Sequence, residues 1–156
     1  SLGRLVGRIV EAEGQRHVGR EIVARVPPGI PLIEAETTYV EQVVRNLLTN
    51  AVKYSGPPDP VAIELEHDSA ANEVVLRVLD RGIGIDEDAA THGFELFYRT
   101  RAASRTASGA GIGLFVCREL IGAMGGTIWI RPRDGGGTEA GFRLPAVPFE
   151  IDLADS

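Results

Sequence analysis

The sequence is poor in several features that define common classes of protein. It has one cysteine, Cys117, in 156 residues, which excludes an intramolecular disulfide and a cysteine-based zinc site. No apolar run approaches the ~20 residues that a membrane-spanning helix requires. The net charge is −6, so nothing in it favours nucleic acid or an anionic membrane as a partner. With an ordinary hydrophobic share of 44%, the chain is expected to form one globular domain with its own core.

Lysine is also scarce, because Lys53 is the one lysine among 16 basic residues. Two common phosphate-binding patterns are missing as well. The sequence contains neither G-x-x-x-x-G-K-[ST] nor a G-x-G-x-x-G that follows a strand. A P-loop or Rossmann site is therefore not expected.

The spacing of apolar residues predicts the order of helices and strands. Helical spacing at 2–10 indicates a helix that either enters from an upstream domain or is a terminal helix packed on this one. Thr37 or Thr38 is expected to cap a second helix, with Glu41 completing a capping box. Further strands and helices are bounded by glycine, proline and polar turns. The predicted strands are 21–26, 61–66, 73–79, 127–131 and 139–144, and the later helices are about 37–54 and 112–124.

This order determines the predicted fold class and domain limits. Neighbouring strands without a helix between them indicate an antiparallel or mixed sheet, with the helices gathered on one face. The class is therefore α/β, as a two-layer sandwich. We expect 1–16 to be the end of a linker helix from a missing upstream domain, 17–146 to form the domain, and 147–156 to be a tail. The glycine-rich connection 80–113 is long enough to be expected to carry function.

The second predicted helix carries polar residues on one face. Asn46, Asn50, Lys53 and Tyr54 are three or four residues apart, so they lie beside one another. The amide oxygen of Asn50 can ligate Mg²⁺, which prefers oxygen ligands, and Lys53 can contact a phosphate. A solvated helix face explains the same pattern, and this helix alone leaves both interpretations open.

An acidic residue ends the third predicted strand. Asp80 follows an apolar run, so its carboxylate is expected to be partly buried and to need hydrogen-bond donors. The exocyclic amine of adenine is one suitable donor. Gly82 and Gly84 would allow the backbone to approach a flat base and to adopt positive φ. Ordinary turns share this pattern, so the motif is weak by itself.

Two aromatic residues precede a polar loop. Phe94 and Phe97 are three residues apart and are expected to anchor a movable lid rich in alanine, serine, threonine and arginine. From that lid, Arg99, Arg101 and Arg105 can meet phosphate oxygens. For Arg101 and Arg105, a solvated basic loop is the favoured interpretation.

Three alternating glycines lead into the third predicted helix. Gly109, Gly111 and Gly113 would expose backbone N–H groups at the helix N-terminus, where the helix dipole favours an anion. The pattern predicts a phosphate cradle. A flexible hinge is the alternative, and the two are compatible.

Taken in this order, the four stretches resemble the N, G1, F and G2 boxes of the sensor histidine kinase catalytic domain. That domain shares an ATPase superfamily with gyrase, the heat-shock chaperones and the mismatch-repair proteins. The resemblance runs from about Glu21 to Pro145. It implies a mixed, mostly antiparallel sheet of about five strands, three helices on one face and a mobile ATP lid.

The resemblance also implies a function, its cofactors and its partners. The domain would bind ATP and Mg²⁺ and transfer the γ-phosphoryl group to a histidine on a separate dimerisation and phosphoacceptor domain. The phosphoryl group would then pass to the receiver domain of a response regulator. The fragment is expected to be a cytoplasmic monomer from a homodimeric parent, and the sequence leaves the membrane anchoring of that parent open.

Roles for individual residues follow from the same resemblance. Asn46, Lys53 and Arg99 are the expected catalytic residues, and Asn50 is the expected metal ligand. Asn46 stands where the hydrolysing relatives resemble one another in placing a glutamate base, so a histidine is the expected acceptor rather than water or serine. The expected nucleotide contacts are Asn46, Asn50, Lys53, Tyr54, Asp80, Gly82, Gly84, Ile85, Gly109, Gly111, Ile112, Gly113, Leu114 and Thr138.

Some positions depart from the family pattern. Arg81 replaces a commoner asparagine, and Ala110 replaces a frequent threonine. None of the three histidines, which are His17, His67 and His92, stands in the helical His-Glu/Asp context of the family acceptor. We therefore expect the chain to bind ATP without phosphorylating itself. A degenerate signalling module without kinase activity and a conformational ATPase of the gyrase type are the alternatives.

Overall fold

The structure is a computed structural model, and it describes residues 1–55, 59–85, 92–94 and 112–148. Three helices lie in these ranges: α1 (Leu2–Arg16), α2 (Thr37–Tyr54) and α3 (Ile112–Ala123). The strands are β1 (Ile22–Arg25), β2 (Val61–Asp68), β3 (Glu73–Leu79), β4 (Thr127–Pro132) and β5 (Thr138–Pro145). Of the helices in the described ranges, none combines the length and apolar character needed to cross a bilayer. The predicted α/β class is confirmed.

The strands form one sheet in the order β1-β2-β3-β5-β4. β1 pairs with β2 in parallel, and the other three pairs are antiparallel. Side chains alternate between the two faces of each strand. In β2, Ile63 and Leu65 are buried in the core, whereas Glu64 and Glu66 form ion pairs with Arg25 and Arg77. The sheet is therefore mixed and mostly antiparallel, as predicted, with one apolar face and one charged face.

The core lies between the apolar face of the sheet and the helices. The apolar stripe that the sequence predicted on α2 is buried, and it consists of Val40, Val44, Leu47, Leu48 and Ala51. Val43 is buried beside these residues. α1 contributes Leu2, Leu5, Val6 and Ile9 to the same cluster. α1 also extends to Arg16, well beyond the periodic stretch seen in the sequence. This helix is therefore packed on the domain along its whole length.

The capping box predicted for α2 is wrong. The N-cap is Glu36, in an extended conformation, and its side chain makes no capping hydrogen bond. Thr37 is already the first helical residue, whereas a capping side chain must belong to the residue before it. Glu41 instead pairs with Arg45 one turn later, at 3.1 Å. The start of α2 is thus one residue earlier than the cap pattern suggested.

Candidate functional site

α2 carries the polar face that the sequence predicted. Asn46 and Asn50 are both partly buried, and they line one cavity of about 490 Å³. Lys53 is exposed one turn further on, with its Nζ 5.8 Å from the centroid of the Tyr54 ring. The rise from Asn46 to Tyr54 along the helix is about 12 Å. The face is therefore long enough for two amides, a cation and an aromatic ring to act on different parts of one ligand.

Asp80 lies directly after β3 and is 6% exposed. Its Oδ1 accepts hydrogen bonds from the backbone N–H groups of Gly82, at 2.8 Å, and Thr138, at 3.3 Å. Burial raises the pKa of Asp80, and these two N–H groups oppose that shift in part. Both of these bonds go to Oδ1 rather than to Oδ2. The carboxylate is therefore held in place by donors, as the sequence required.

The turn after Asp80, residues 80–85, packs on the C-terminal end of α2. The Ile83 N–H donates to the carbonyl oxygen of Tyr54 at 3.3 Å, and a Cβ at Gly82 would overlap that same oxygen. Only Gly84 has positive φ, at 75°, so the positive φ predicted for Gly82 is wrong. Gly82 is needed because the backbone of α2 passes close to it. Ile85 is partly buried at the end of this turn.

The turn between β4 and β5, residues 133–137, packs on Asp80 from the other side. A Cβ at Gly137 would overlap the carbonyl oxygen of Asp80, and Gly137 has φ 96°. The Arg133 guanidinium donates to that carbonyl oxygen at 3.0 Å. Arg81 donates to the carbonyl oxygen of Gly136 at 2.7 Å. The unusual arginine after Asp80 therefore secures this turn.

Sequence reasoning missed the contribution of the turn 133–137. The signal was available, since three consecutive glycines after Asp134 are more than a two-residue hairpin needs. Thr138, which follows them, was predicted to lie near the site. It is 9% exposed and donates its N–H to Asp80. Its contact with a nucleotide stays a prediction.

α3 begins against the asparagine face of α2. A Cβ at Gly113 would lie 2.8 Å from both Nδ2 and Oδ1 of Asn46, which is closer than side chains approach. Leu114 is partly buried against the core. Ile112 starts the helix, and its side chain is outside what the structure describes. The last glycine of the predicted cradle therefore allows α3 to approach Asn46.

Several predicted site residues lie outside the described ranges. These are Phe97, Arg99, Arg101, Arg105, Gly109, Ala110 and Gly111. Their expected roles stay predictions. Phe94 is described and is 7% exposed, which fits its predicted anchoring position.

The polar side chains on α2 include oxygen ligands that suit a hard cation. Within residues 1–55, 59–85, 92–94 and 112–148, His, Cys, Asp and Glu form no group of three that would hold a metal by themselves. Asn46 and Asn50 line one cavity, and Mg²⁺ accepts amide oxygens together with water and phosphate oxygens. The residues present therefore fit a magnesium ion that arrives with a phosphorylated ligand.

Comparison with known proteins decides the family. The model of the histidine kinase-, DNA gyrase B- and HSP90-like ATPases matches residues 35–148. The chain belongs to this family. The resemblance seen in the four sequence motifs is therefore confirmed over most of the chain.

Several histidine kinases are similar to this chain. The methanogenesis regulatory histidine kinase FilI of Methanothrix harundinacea is 33% identical over 145 residues, which are 93% of this chain and 16% of FilI. The catalytic domain of the histidine kinase ThkA has a TM-score of 0.78 at 26% identity, covering 94% of this chain and 95% of that one. Full-length ShkA, solved in complex with AMPPNP, has a TM-score of 0.81 at 28% identity, covering 94% of this chain and 30% of ShkA. The chain thus has the fold of a histidine kinase catalytic domain and spans a small part of the curated relatives.

Proposed function

We propose that the chain is the catalytic domain of a two-component sensor histidine kinase. It binds Mg-ATP and donates the γ-phosphoryl group to a histidine on a separate dimerisation and phosphoacceptor domain. The observation that carries this proposal is the buried carboxylate of Asp80, held by two backbone N–H groups beside the asparagine-bearing helix. Membership of the ATPase family and the AMPPNP complex of ShkA support ATP as the nucleotide.

Asp80 is the proposed contact to adenine. Its Oδ1 is already bonded to Gly82 and Thr138, so Oδ2 would accept the hydrogen bond from the exocyclic amine. Burying a carboxylate is costly unless hydrogen-bond donors replace the water that it loses, so Asp80 would favour a ligand that offers a donor. The turns 80–85 and 133–137, which pack on either side of Asp80, would form the walls of the base pocket.

The face of α2 is the proposed contact to the phosphates. Asn50 would hold Mg²⁺ through its amide oxygen, Asn46 would lie beside the phosphates, and Lys53 would contact a phosphate oxygen. The metal would neutralise charge on the β- and γ-phosphates. Tyr54, Gly113 and the residues 109–111 would complete the cradle around them.

The proposed reaction needs little proton transfer from this chain. The acceptor imidazole nitrogen attacks the γ-phosphorus, a nitrogen–phosphorus bond forms, and the bond to the β-phosphate oxygen breaks to release ADP. Neutral imidazole is nucleophilic near pH 7, so the amide Asn46 suffices where a water-activating enzyme needs a carboxylate base. Catalysis is then positioning and charge neutralisation, with Lys53 and Arg99 as the proposed cations.

The wider setting is part of the same proposal. The FilI relative is several times longer than this chain, which supports a parent protein with further domains. We propose that the parent is a homodimer, that this domain works in the cytoplasm, and that an aspartate of a response regulator receives the phosphoryl group. Residues 1–16 would then join this domain to the phosphoacceptor domain.

Calorimetric titration with Mg-ADP tests the nucleotide site. We expect micromolar binding by the unmodified chain and a loss of at least about tenfold in Asp80→Asn, because an amide nitrogen replaces an acceptor oxygen. Asp68→Asn is the matched control, since Asp68 is a partly exposed aspartate that pairs with Arg143. No binding by the unmodified, folded chain would refute the proposed site.

Phosphotransfer needs a separate experiment. The chain is mixed with the phosphoacceptor domain of its parent protein and ATP labelled on the γ-phosphate. We expect an acid-labile phosphoprotein on the acceptor and none on this chain alone. Nucleotide binding without any label on the acceptor would favour a signalling module that lacks kinase activity. Steady-state ATP hydrolysis by this chain would favour a conformational ATPase instead.

A further inference from the structure

Arg20 makes an unusual set of hydrogen bonds to the end of α2. It lies between α1 and β1, outside residues 35–148 that match the family model. Its Nη1 donates to the carbonyl oxygens of Val52, at 3.1 Å, and Ser55, at 2.9 Å. Its Nη2 donates to Oγ of Ser55, at 2.7 Å, and to the carbonyl oxygen of Asp59, at 3.3 Å. One guanidinium thus connects three residues more than thirty positions away.

One of these acceptors, the carbonyl oxygen of Val52, is a group that α2 itself cannot satisfy. The last four carbonyl oxygens of an α-helix have no intrahelical donor, and Val52 is one of them. The carbonyl oxygen of Ala51 accepts hydrogen bonds from the N–H and the Oγ of Ser55, at 3.1 and 2.6 Å. The carbonyl oxygen of Tyr54 accepts one from the N–H of Ile83. A cation at a helix C-terminus also opposes the helix dipole favourably. Arg20 and the Asp80 turn therefore each satisfy a different carbonyl oxygen in the last turn of α2.

The turn that Arg20 closes carries proposed ligand contacts. Lys53 and Tyr54 belong to it, and Asn50 precedes it by less than one turn. The positive charge of Arg20 also lowers the pKa of Asp80, against the larger opposite effect of burial. Arg20 therefore acts electrostatically on the proposed adenine contact as well as holding the helix end.

We propose that Arg20 is a positioning residue of the nucleotide site, which fixes the last turn of α2 relative to the Asp80 turn. It touches no ligand in this role. It acts on Lys53 and Tyr54 indirectly, by holding Val52 and Ser55 on either side of them, and this inference rests on the proposed function. A planar guanidinium can reach several carbonyl oxygens at once, whereas an amide or an ammonium group cannot reproduce that geometry.

The test compares Arg20→Gln with Arg25→Gln in calorimetric titrations with Mg-ADP. Both changes remove one arginine near β1, but Arg25 forms an exposed ion pair with Glu64 on the charged face of the sheet. At a temperature where circular dichroism shows both variants folded, we expect Arg20→Gln to bind about tenfold more weakly. Arg25→Gln should stay within about twofold of the unmodified chain.

Two further measurements separate positioning from general stability. Amide hydrogen exchange at Ser55 should accelerate in Arg20→Gln, while amides in the middle of α2 keep their protection. Arg20→Lys keeps the charge and loses the planar guanidinium. It should bind Mg-ADP more weakly than the unmodified chain and more tightly than Arg20→Gln. If Arg20→Gln does not fold, Arg20→Lys carries the comparison.

The possible failures are distinguishable. If the unmodified chain does not bind Mg-ADP, the proposed function fails and the role of Arg20 fails with it. If the unmodified chain binds and the folded Arg20 variants bind equally well, only this inference is overturned. A lower melting temperature with unchanged affinity would likewise assign Arg20 a purely structural role.

Discussion

Gly113 at the start of α3 lies directly against the side chain of Asn46 in α2. A Cβ on Gly113 would be 2.8 Å from both terminal atoms of the Asn46 amide. The two residues are far apart in the sequence and belong to two different motifs. Their contact links the glycine motif to the asparagine motif in space, because a side chain added at Gly113 would have to displace the Asn46 amide.

Replacing Gly113 tests this contact. In Gly113→Ala, we expect the Asn46 amide to be displaced, since the end of a side chain moves more easily than two helix backbones. Affinity for Mg-ADP should fall about tenfold, measured by calorimetry, while the melting temperature changes little. Gly122→Ala is the control, because Gly122 lies in the same helix with open space around its Cβ position. An unchanged affinity in Gly113→Ala would contradict the coupling.

Gly82 should behave differently from Gly113. A Cβ at Gly82 would overlap the backbone of Tyr54 and Ser55, which cannot turn aside as a side chain can. Gly82→Ala should therefore lower the free energy of unfolding by about 1–3 kcal/mol and also weaken nucleotide binding. Urea denaturation provides the measurement. Gly7→Ala in α1, where nothing lies near the added Cβ, should instead be neutral or stabilising by up to about 1 kcal/mol.

The pH dependence of stability should report the burial of Asp80. The pKa of Asp80 in the folded state is raised above the ordinary 3.8. At pH values between 3.8 and that raised pKa, the folded state therefore holds a proton that the unfolded chain has released. The stability that this group contributes is therefore complete below pH 3.8 and is lost as pH rises through the folded pKa. The difference in unfolding free energy between the unmodified chain and Asp80→Asn should grow in favour of the unmodified chain as pH falls.

Asp68 should show the opposite dependence of stability on pH, because its pKa is lowered rather than raised. The N–H of Ala71 and the guanidinium of Arg143 lower its pKa below the ordinary 3.8. Its contribution is therefore present above pH 3.8 and is lost as pH falls through the lowered pKa. Denaturant titrations of Asp68→Asn across the same pH range should show this reversed trend. The same slope in both variants would mean that at least one of the two carboxylates is not perturbed as described.

An ion pair connects α1 to α2. Glu13 has a side chain only 2% exposed and lies 3.0 Å from Arg45. In Arg45→Met, the loss of a partner from a buried charge should cost about 2–3 kcal/mol, below the value for a fully buried pair because Arg45 is partly exposed. The double variant Glu13→Met with Arg45→Met should recover part of that loss. A double-mutant cycle in urea measures the coupling, and simple additivity would refute it.

The local features of the fold could be read from the sequence. Apolar spacing predicted the strands and the buried stripe of α2, because burial of one face imposes a period on neighbouring residues. The capping box failed since the first helical residue cannot be inferred from a threonine pair alone. The helical span expected for residues 1–16 agrees with α1, whose last turns also contain the buried Glu13 that pairs with Arg45.

The sequence by itself therefore determined the order of the elements and singled out the residues proposed to carry the chemistry, with Asp80, Asn46 and Asn50 among them. These follow from short-range patterns and from motifs in a given order. Only the tertiary structure decided how they are held. The donor from Thr138 lies 58 residues from Asp80, and Arg20 lies 35 residues from the Ser55 that it binds. Such contacts depend on which strands pair and which helix ends meet, and no local pattern of residue types encodes that distance.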